Sequence, residues 1–210
     1  MNYDADKTLD QTVDQEADRV VDRAPDQTGD RREPVPGRRL MTVGHGTASQ
    51  EVLTALLVDA GVQALVDVRI GPGSRKFPHV NKDAMERWLP EHGISYRWMK
   101  DLGGFRKLLP GSPDTSLRNE SFRGYAGYMR TPDFVSALED LLTQASAMPT
   151  AIMCSETLWW RCHRRLISDN ATLLHGTSVQ HLVAGSRTTI HQPTAGVRVQ
   201  GKNLIYDGST

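Results

Sequence analysis

The chain has 210 residues, with 25 Lys or Arg balancing 25 Asp or Glu, and two cysteines. That length holds one core of ordinary size plus an accessory segment; zero formal net charge excludes recruitment of nucleic acid by bulk charge, and two cysteines exclude a disulfide scaffold and favour a reducing compartment. No apolar run reaches the roughly 18 residues of a membrane span, and the amino terminus lacks the basic-then-apolar pattern of a secretory signal, so the expectation is a soluble cytoplasmic protein with no membrane partner.

Residues 1–39 hold ten acids and seven bases, with Asp10, Asp14, Asp18, Asp22, Asp26 and Asp30 at every fourth position. On a helix these would be like-charged i,i+4 neighbours, and Pro25 and Gly29 interrupt it. The segment reads as a disordered acidic low-complexity tail, with a partner-binding helix near 11–21 as the alternative. Residues 40–210 read as a single domain.

"LMTVGHG" predicts a buried strand. Thr47 or Ser49 caps a helix with Val52, Leu53, Leu56, Leu57 and Ala60 on one face, stopped by Gly61. "ALVDVRI" is a second strand, "GPGSRKFPHV" a loop, and Asn81 caps a helix to Glu91 whose last turn Pro90 frays. "SYRWMK" is a third strand; 101–118 is a long loop of the kind that carries function more often than not. "ESFRGYAGYM" is a short helix, and Thr131, Pro132 and Asp133 open a longer one. "TAIMCS" is the fourth strand, 159–174 a helix and "VQHLVA" the fifth strand. From about 187 "GVRVQGKNLIYDG" suggests a hairpin turning near Gly201. Alternating strands and helices predict an α/β three-layer sandwich: a mostly parallel sheet of about five strands with helices on both faces.

Ligands of such sheets sit beyond the carboxyl ends of the strands. His45, Arg69 with Ser74 and Arg75, Arg106, and Cys154 with Glu156 all follow strands on that one edge. Arginines there suit an anionic ligand such as phosphate, carboxylate or a nucleic-acid backbone; the structural alternative is pairing with Asp67 or Glu120.

"CSETLWWRCHRRLI" contains both cysteines. A thiolate-phosphatase loop fits poorly, because "SETLWW" is bulky and lacks glycine. A metal is set aside because the paired C-x-x-C spacing is missing and because Cys162 and His163, as helix neighbours, would diverge by about 100°; no metal or cofactor is assigned. On a helix begun at Trp159, Cys162 falls on an apolar stripe and reads as core. Cys154, at a strand end before a helix, is the candidate reactive thiol, with Glu156 as acid or base and His45 as an auxiliary. Tyr125, Tyr128 and Trp160 offer stacking surface.

"TVGHGT", "LVDVRIGPGSRKFPHVNK", "LGGFRK", "RNESFRGYAGYM" and "CSETLWWRCHRRLI" resemble, in order, the motifs of the bacterial and archaeal domain of unknown function 488 family, over about 40–184. The resemblance implies an α/β domain and no particular activity; it draws Asn119, His163 and Arg164 into the substrate-binding set. The family's usual "GHS" is replaced by Gly46 before Thr47. The "VDVR" strand also resembles that of rhodanese-like sulfurtransferases over a few residues. The expected activity is a hydrolase or transferase acting on an anionic or nucleotide-like substrate. The alternatives are a non-catalytic module binding nucleic acid or protein through "RNESFRGYAGYMR", and a redox-responsive pair of Cys154 and Cys162.

Overall fold

The structure, a computed structural model, describes residues 39–185 and 188–209, so the aspartate-repeat segment lies outside the described residues. Strands β1 (Arg39–Gly44), β2 (Ala64–Asp67), β3 (Ser95–Trp98), β4 (Thr150–Cys154) and β5 (Ser178–Leu182) are all parallel, and a two-residue strand, β6 (Thr189–Ile190), pairs antiparallel with β5. The order is β3-β2-β4-β1-β5-β6. Helices α1 (Gln50–Asp59) and α2 (Lys82–Glu91) pack Leu53, Leu57, Met85 and Leu89 on one face. On the other lie α3 (Glu120–Tyr128), α4 (Pro132–Ala147) and α5 (Arg164–Leu173), contributing Tyr125, Phe134, Leu138, Leu166 and Ile167. This is the expected three-layer α/β arrangement. Among the described residues no helix is long and apolar enough to cross a membrane.

Side chains alternate across a strand, and in β4 this decides the position of the first thiol. Ala151 and Met153 face α1 and α2, whereas Ile152 and Cys154 belong to the core beneath α3, α4 and α5.

The local signals that build the helices are mostly those the sequence carries. Ser49 Oγ accepts from the Val52 N–H, and Gly61 (φ 68) ends the turn after α1. Thr131 caps α4 with Pro132 in its first turn. Asn81 precedes α2, but its side chain accepts from the Ser74 N–H and so ties the 71–80 loop to the helix instead of capping it. After β6, strands β7 (Val197–Gln200) and β8 (Asn203–Tyr206) form a hairpin that reverses at Gly201 (φ 62), and Leu204 and Tyr206 join the α3–α5 core.

One element differs from expectation in a way that matters. The helix predicted over 159–174 is broken: Trp159–Arg161 make a single 3₁₀ turn, Cys162 is extended (φ −124, ψ 151), and α5 begins at Arg164. The Trp159 indole lies flat on the His181 imidazole, centroids 3.9 Å apart and planes 7° apart, which anchors the turn to β5 before the helix can start.

Candidate functional site

A cavity of about 350 Å³ opens at the carboxyl edge of the sheet, on the α3–α5 side. Its floor is made by buried Cys154, Cys162 and His163, and exposed Glu156, Arg161 and Phe105 stand at its mouth. Asn119, Phe122, Tyr125 and Arg69 complete the walls. Phe105 is 90% exposed and holds a left-handed backbone (φ 58), a conformation that is uncommon away from glycine and concentrates at ligand sites.

The hydrogen-bond geometry orients the floor. His163 Nε2 lies 3.0 Å from the Val68 carbonyl oxygen, which can only accept, so Nε2 carries a hydrogen and Nδ1 is turned to the sulfurs, 3.8 Å from Cys154 and 3.6 Å from Cys162. Arg164 Nε donates to Cys162 Sγ at 3.3 Å, and its other nitrogens donate to Thr42 Oγ1 and the Glu156 carbonyl. The Arg164 side chain is 1% exposed, yet among the described residues it forms no ion pair with a carboxylate. A buried cation needs an anion nearby. Cys162 is the partner able to supply one. Burial alone would raise its thiol, but the hydrogen bond from Cys154, the His163 contact and the Arg164 charge outweigh burial and hold Cys162 well below the usual thiol range. The hydrogen bond it gives to Cys162, together with burial, pushes the Cys154 thiol up. Cys162, which sequence periodicity assigns to inert core, is thus the sulfur whose ionised form its surroundings favour, and Cys154 the one whose thiol form they favour.

Behind Arg164 runs a chain of polar groups whose direction its two ends dictate. Asp169 only accepts, so His191 Nε2–H donates to it (2.9 Å) and His191 Nδ1 accepts from His181 Nε2–H (3.0 Å). His181 Nδ1 then accepts from Thr42 O–H (2.8 Å), leaving Thr42 Oγ1 to accept from Arg164. Within the chain Thr42, His181 and His191 each donate once and accept once. Asp169 is further held by Tyr206 O–H and by the Thr194 N–H and O–H. The sequence gives no hint of this network, because its members come from β1, α5, β5 and the segment after β6.

A second polar cluster sits at the same edge against α2. Arg69 makes a forked pair with buried Asp67, which also accepts from Tyr96 O–H, and donates to the Val80 carbonyl. His45 Nδ1–H donates to the Gly46 carbonyl, while Nε2 faces Arg69 Nη1 at 3.4 Å. Burial and the Arg69 charge lower His45 to about 4, so it stays neutral. His45 thus positions Arg69 and does not enter the cavity.

The other residues selected from sequence separate into two groups. Asn119, Tyr125, Glu156 and His163 line the cavity with Cys154 and Arg69. Asn119 also caps α3, its Oδ1 accepting from the Ser121 N–H. The remainder lie elsewhere. Ser74 Oγ accepts from the Phe77 N–H, and Arg75 is exposed outside the cavity. Arg106 donates to the Gly103 and Lys100 carbonyls and stacks 3.7 Å over the Tyr128 ring. The Tyr128 and Tyr125 hydroxyls donate to the Asp101 and Leu102 carbonyls, turning "RNESFRGYAGYMR" inward rather than making it an aromatic surface. Trp160 is half exposed and packs edge-on against Trp159. Arg161, Cys162, Phe105 and Phe122 are the wall residues that periodicity missed.

The fold and the site define an α/β domain with a sulfur and imidazole centre at the carboxyl edge of its parallel sheet. The family model "Domain of unknown function DUF488" matches residues 48–171, more than half of the chain, and the chain belongs to that family. No curated protein and no solved structure matches it. The matched span includes Cys154, Glu156, Cys162, His163 and Arg164. At position 46, Gly46 (φ 51) leaves room for the Thr157 side chain, whose Oγ1 occupies the place a Cβ would take, so a hydroxyl is brought there from the segment after β4.

Proposed function

We propose that the chain is an enzyme of the hydrolase or transferase kind that acts on a small anionic substrate carrying a planar group, over the sulfur and imidazole floor of this cavity. The observation that carries the reading is the buried floor of Cys154, Cys162 and His163, with Arg164 Nε donating to Cys162 Sγ at 3.3 Å, beneath a cavity large enough for a nucleotide-sized ligand. In this proposal Cys162 is the reacting sulfur, and Cys154 and Glu156, which line the same cavity, act beside it. Arg161 makes no hydrogen bond or ion pair through its guanidinium among the described residues, which leaves it free to hold an anion at the mouth. Phe105, Phe122 and Tyr125 give the aromatic faces for the planar group. Arg69 and Arg106, committed to Asp67 and to backbone carbonyls, serve as walls and not as clamps.

Thermal shift with inorganic phosphate, adenosine and adenosine monophosphate tests the ligand class. The monophosphate raises Tm most, and Arg161→Ala removes the phosphate-dependent part of the rise; equal shifts for adenosine and its monophosphate sink the anion reading. Turnover on a panel of phosphate and carboxylate esters is then abolished by Cys162→Ser and lowered by Glu156→Gln. Full turnover in Glu156→Gln removes that residue from the mechanism.

A further inference from the structure

We propose that Cys154 Sγ, Cys162 Sγ and His163 Nδ1 form a three-ligand site for a zinc-like divalent ion whose fourth position opens into the cavity; this deepens the catalytic reading of that cavity. The three atoms lie within 4.8 Å of one another, all on buried residues. Tetrahedral zinc with bonds of about 2.3 Å to sulfur and 2.0–2.1 Å to nitrogen requires a sulfur-to-nitrogen edge of about 3.6 Å. The two edges here are 3.8 and 3.6 Å. The two sulfur-to-nitrogen edges thus fit the ion within a few tenths of an ångström, and the sulfur-to-sulfur edge is no longer than 4.8 Å.

The surroundings are those of metal ligands. The Val68 carbonyl takes the Nε2 hydrogen of His163 and leaves Nδ1 turned to the two sulfurs, the orientation a backbone acceptor gives a histidine around metals. Arg164 Nε donates to Cys162 Sγ at 3.3 Å and fixes where that sulfur points. Gly104 lies against the imidazole, where a Cβ would stand 3.0 Å from Nδ1, so the lack of a side chain keeps the ring's donor atom unobstructed. The helical divergence of about 100° between neighbours does not apply to the pair, since Cys162 is extended and His163 is the N-cap of α5.

Three protein ligands and an open position are the pattern of a catalytic zinc, which activates a bound water or polarises a substrate oxygen. The sulfurs then act as ligands, and the open position faces the same space as Glu156 and Arg161.

The test uses the full chain, reduced, stripped with chelator and titrated with Co²⁺ as a spectroscopic stand-in for Zn²⁺. One equivalent binds, with a sulfur-to-cobalt charge-transfer band and the intense visible bands of tetrahedral cobalt, and Zn²⁺ displaces it. Cys154 and Cys162 are the chain's only cysteines, so that band on the unaltered protein reports on them even if a variant fails to fold. Cys154→Ser or Cys162→Ser weakens binding by more than the about 100-fold typical of changes outside the ligand shell, and Gly104→Ala, which presses on Nδ1, weakens it within that range. Absence of the charge-transfer band, or a band unchanged in Gly104→Ala, overturns the site. Metal binding without ligand binding or turnover would remove the enzymatic reading alone; thiol-dependent turnover without a cobalt band would remove the metal alone.

Discussion

Two polar clusters share one edge of the sheet and differ in what their groups have left to do. Around Arg69, the Asp67 carboxylate, the Tyr96 hydroxyl and the Val80 carbonyl satisfy the guanidinium, and His45 closes the remaining side. Around Arg164, the partners are a thiol sulfur, a threonine hydroxyl and a backbone carbonyl, and the sulfur looks into a cavity. Both arginines are buried. The first is a closed ion pair that holds the strand end; the second has no carboxylate partner among the described residues and donates to a sulfur that lines a cavity. Unsatisfied valence, and not the mere presence of charged residues, separates a reactive centre from a scaffold.

The contrast is broken most severely by Asp67→Asn, which leaves Arg69 buried without its anion. It is expected to cost about 3–5 kcal/mol in urea unfolding, and Asp67→Asn with Arg69→Met recovers most of that. The second cluster responds less, measured with chelator present. Cys162→Ala strips buried Arg164 of its sulfur acceptor and is expected to cost about 2–3 kcal/mol, whereas Cys154→Ala is expected to cost about 1 kcal/mol; equal losses would show that Arg164 does not distinguish the two sulfurs.

Acid titration sharpens the same distinction through the polar chain behind Arg164. Burial, then the nearby His191 and Arg164, lower His181 to about 3. Between pH 6.5 and about 3 the unfolded chain binds the proton that folded His181 refuses, so stability rises with pH in that window and falls by about 1 kcal/mol per unit as pH drops below 6.5. His181→Gln flattens this dependence, whereas an unchanged slope would assign the acid sensitivity to other groups. The smallest stability effects belong to the exposed mouth. Glu156→Gln and Arg161→Ala are expected to move unfolding by no more than about 0.5 kcal/mol while weakening anion binding.

The layers of the fold were legible because apolar period is a local property. The 3.6-residue faces of α1 and α4, the caps at Ser49 and Thr131, and the short apolar strands required no knowledge of neighbours. Family membership was legible too, in five ordered motifs of which the last four lie within the matched span 48–171. The edge carrying the site followed from strand direction, and Cys154, Glu156, Asn119, Tyr125 and His163 do meet in its cavity. The role of Cys162 was not legible. Its assignment depended on where α5 begins, and that boundary is set by Trp159 stacking on His181 from a strand some twenty residues away.

Sequence alone thus determined the α/β order of elements, the family and the edge where polar groups gather, since each follows from residue spacing and strand polarity. Tertiary structure decided which groups are satisfied and which remain available: the pairing of Arg69 with Asp67, the withdrawal of Arg106 to backbone carbonyls, and the turn of Cys162 and His163 toward Cys154. Charge compensation and hydrogen-bond satisfaction depend on which distant side chains share a buried volume, and spacing along a chain carries no record of that.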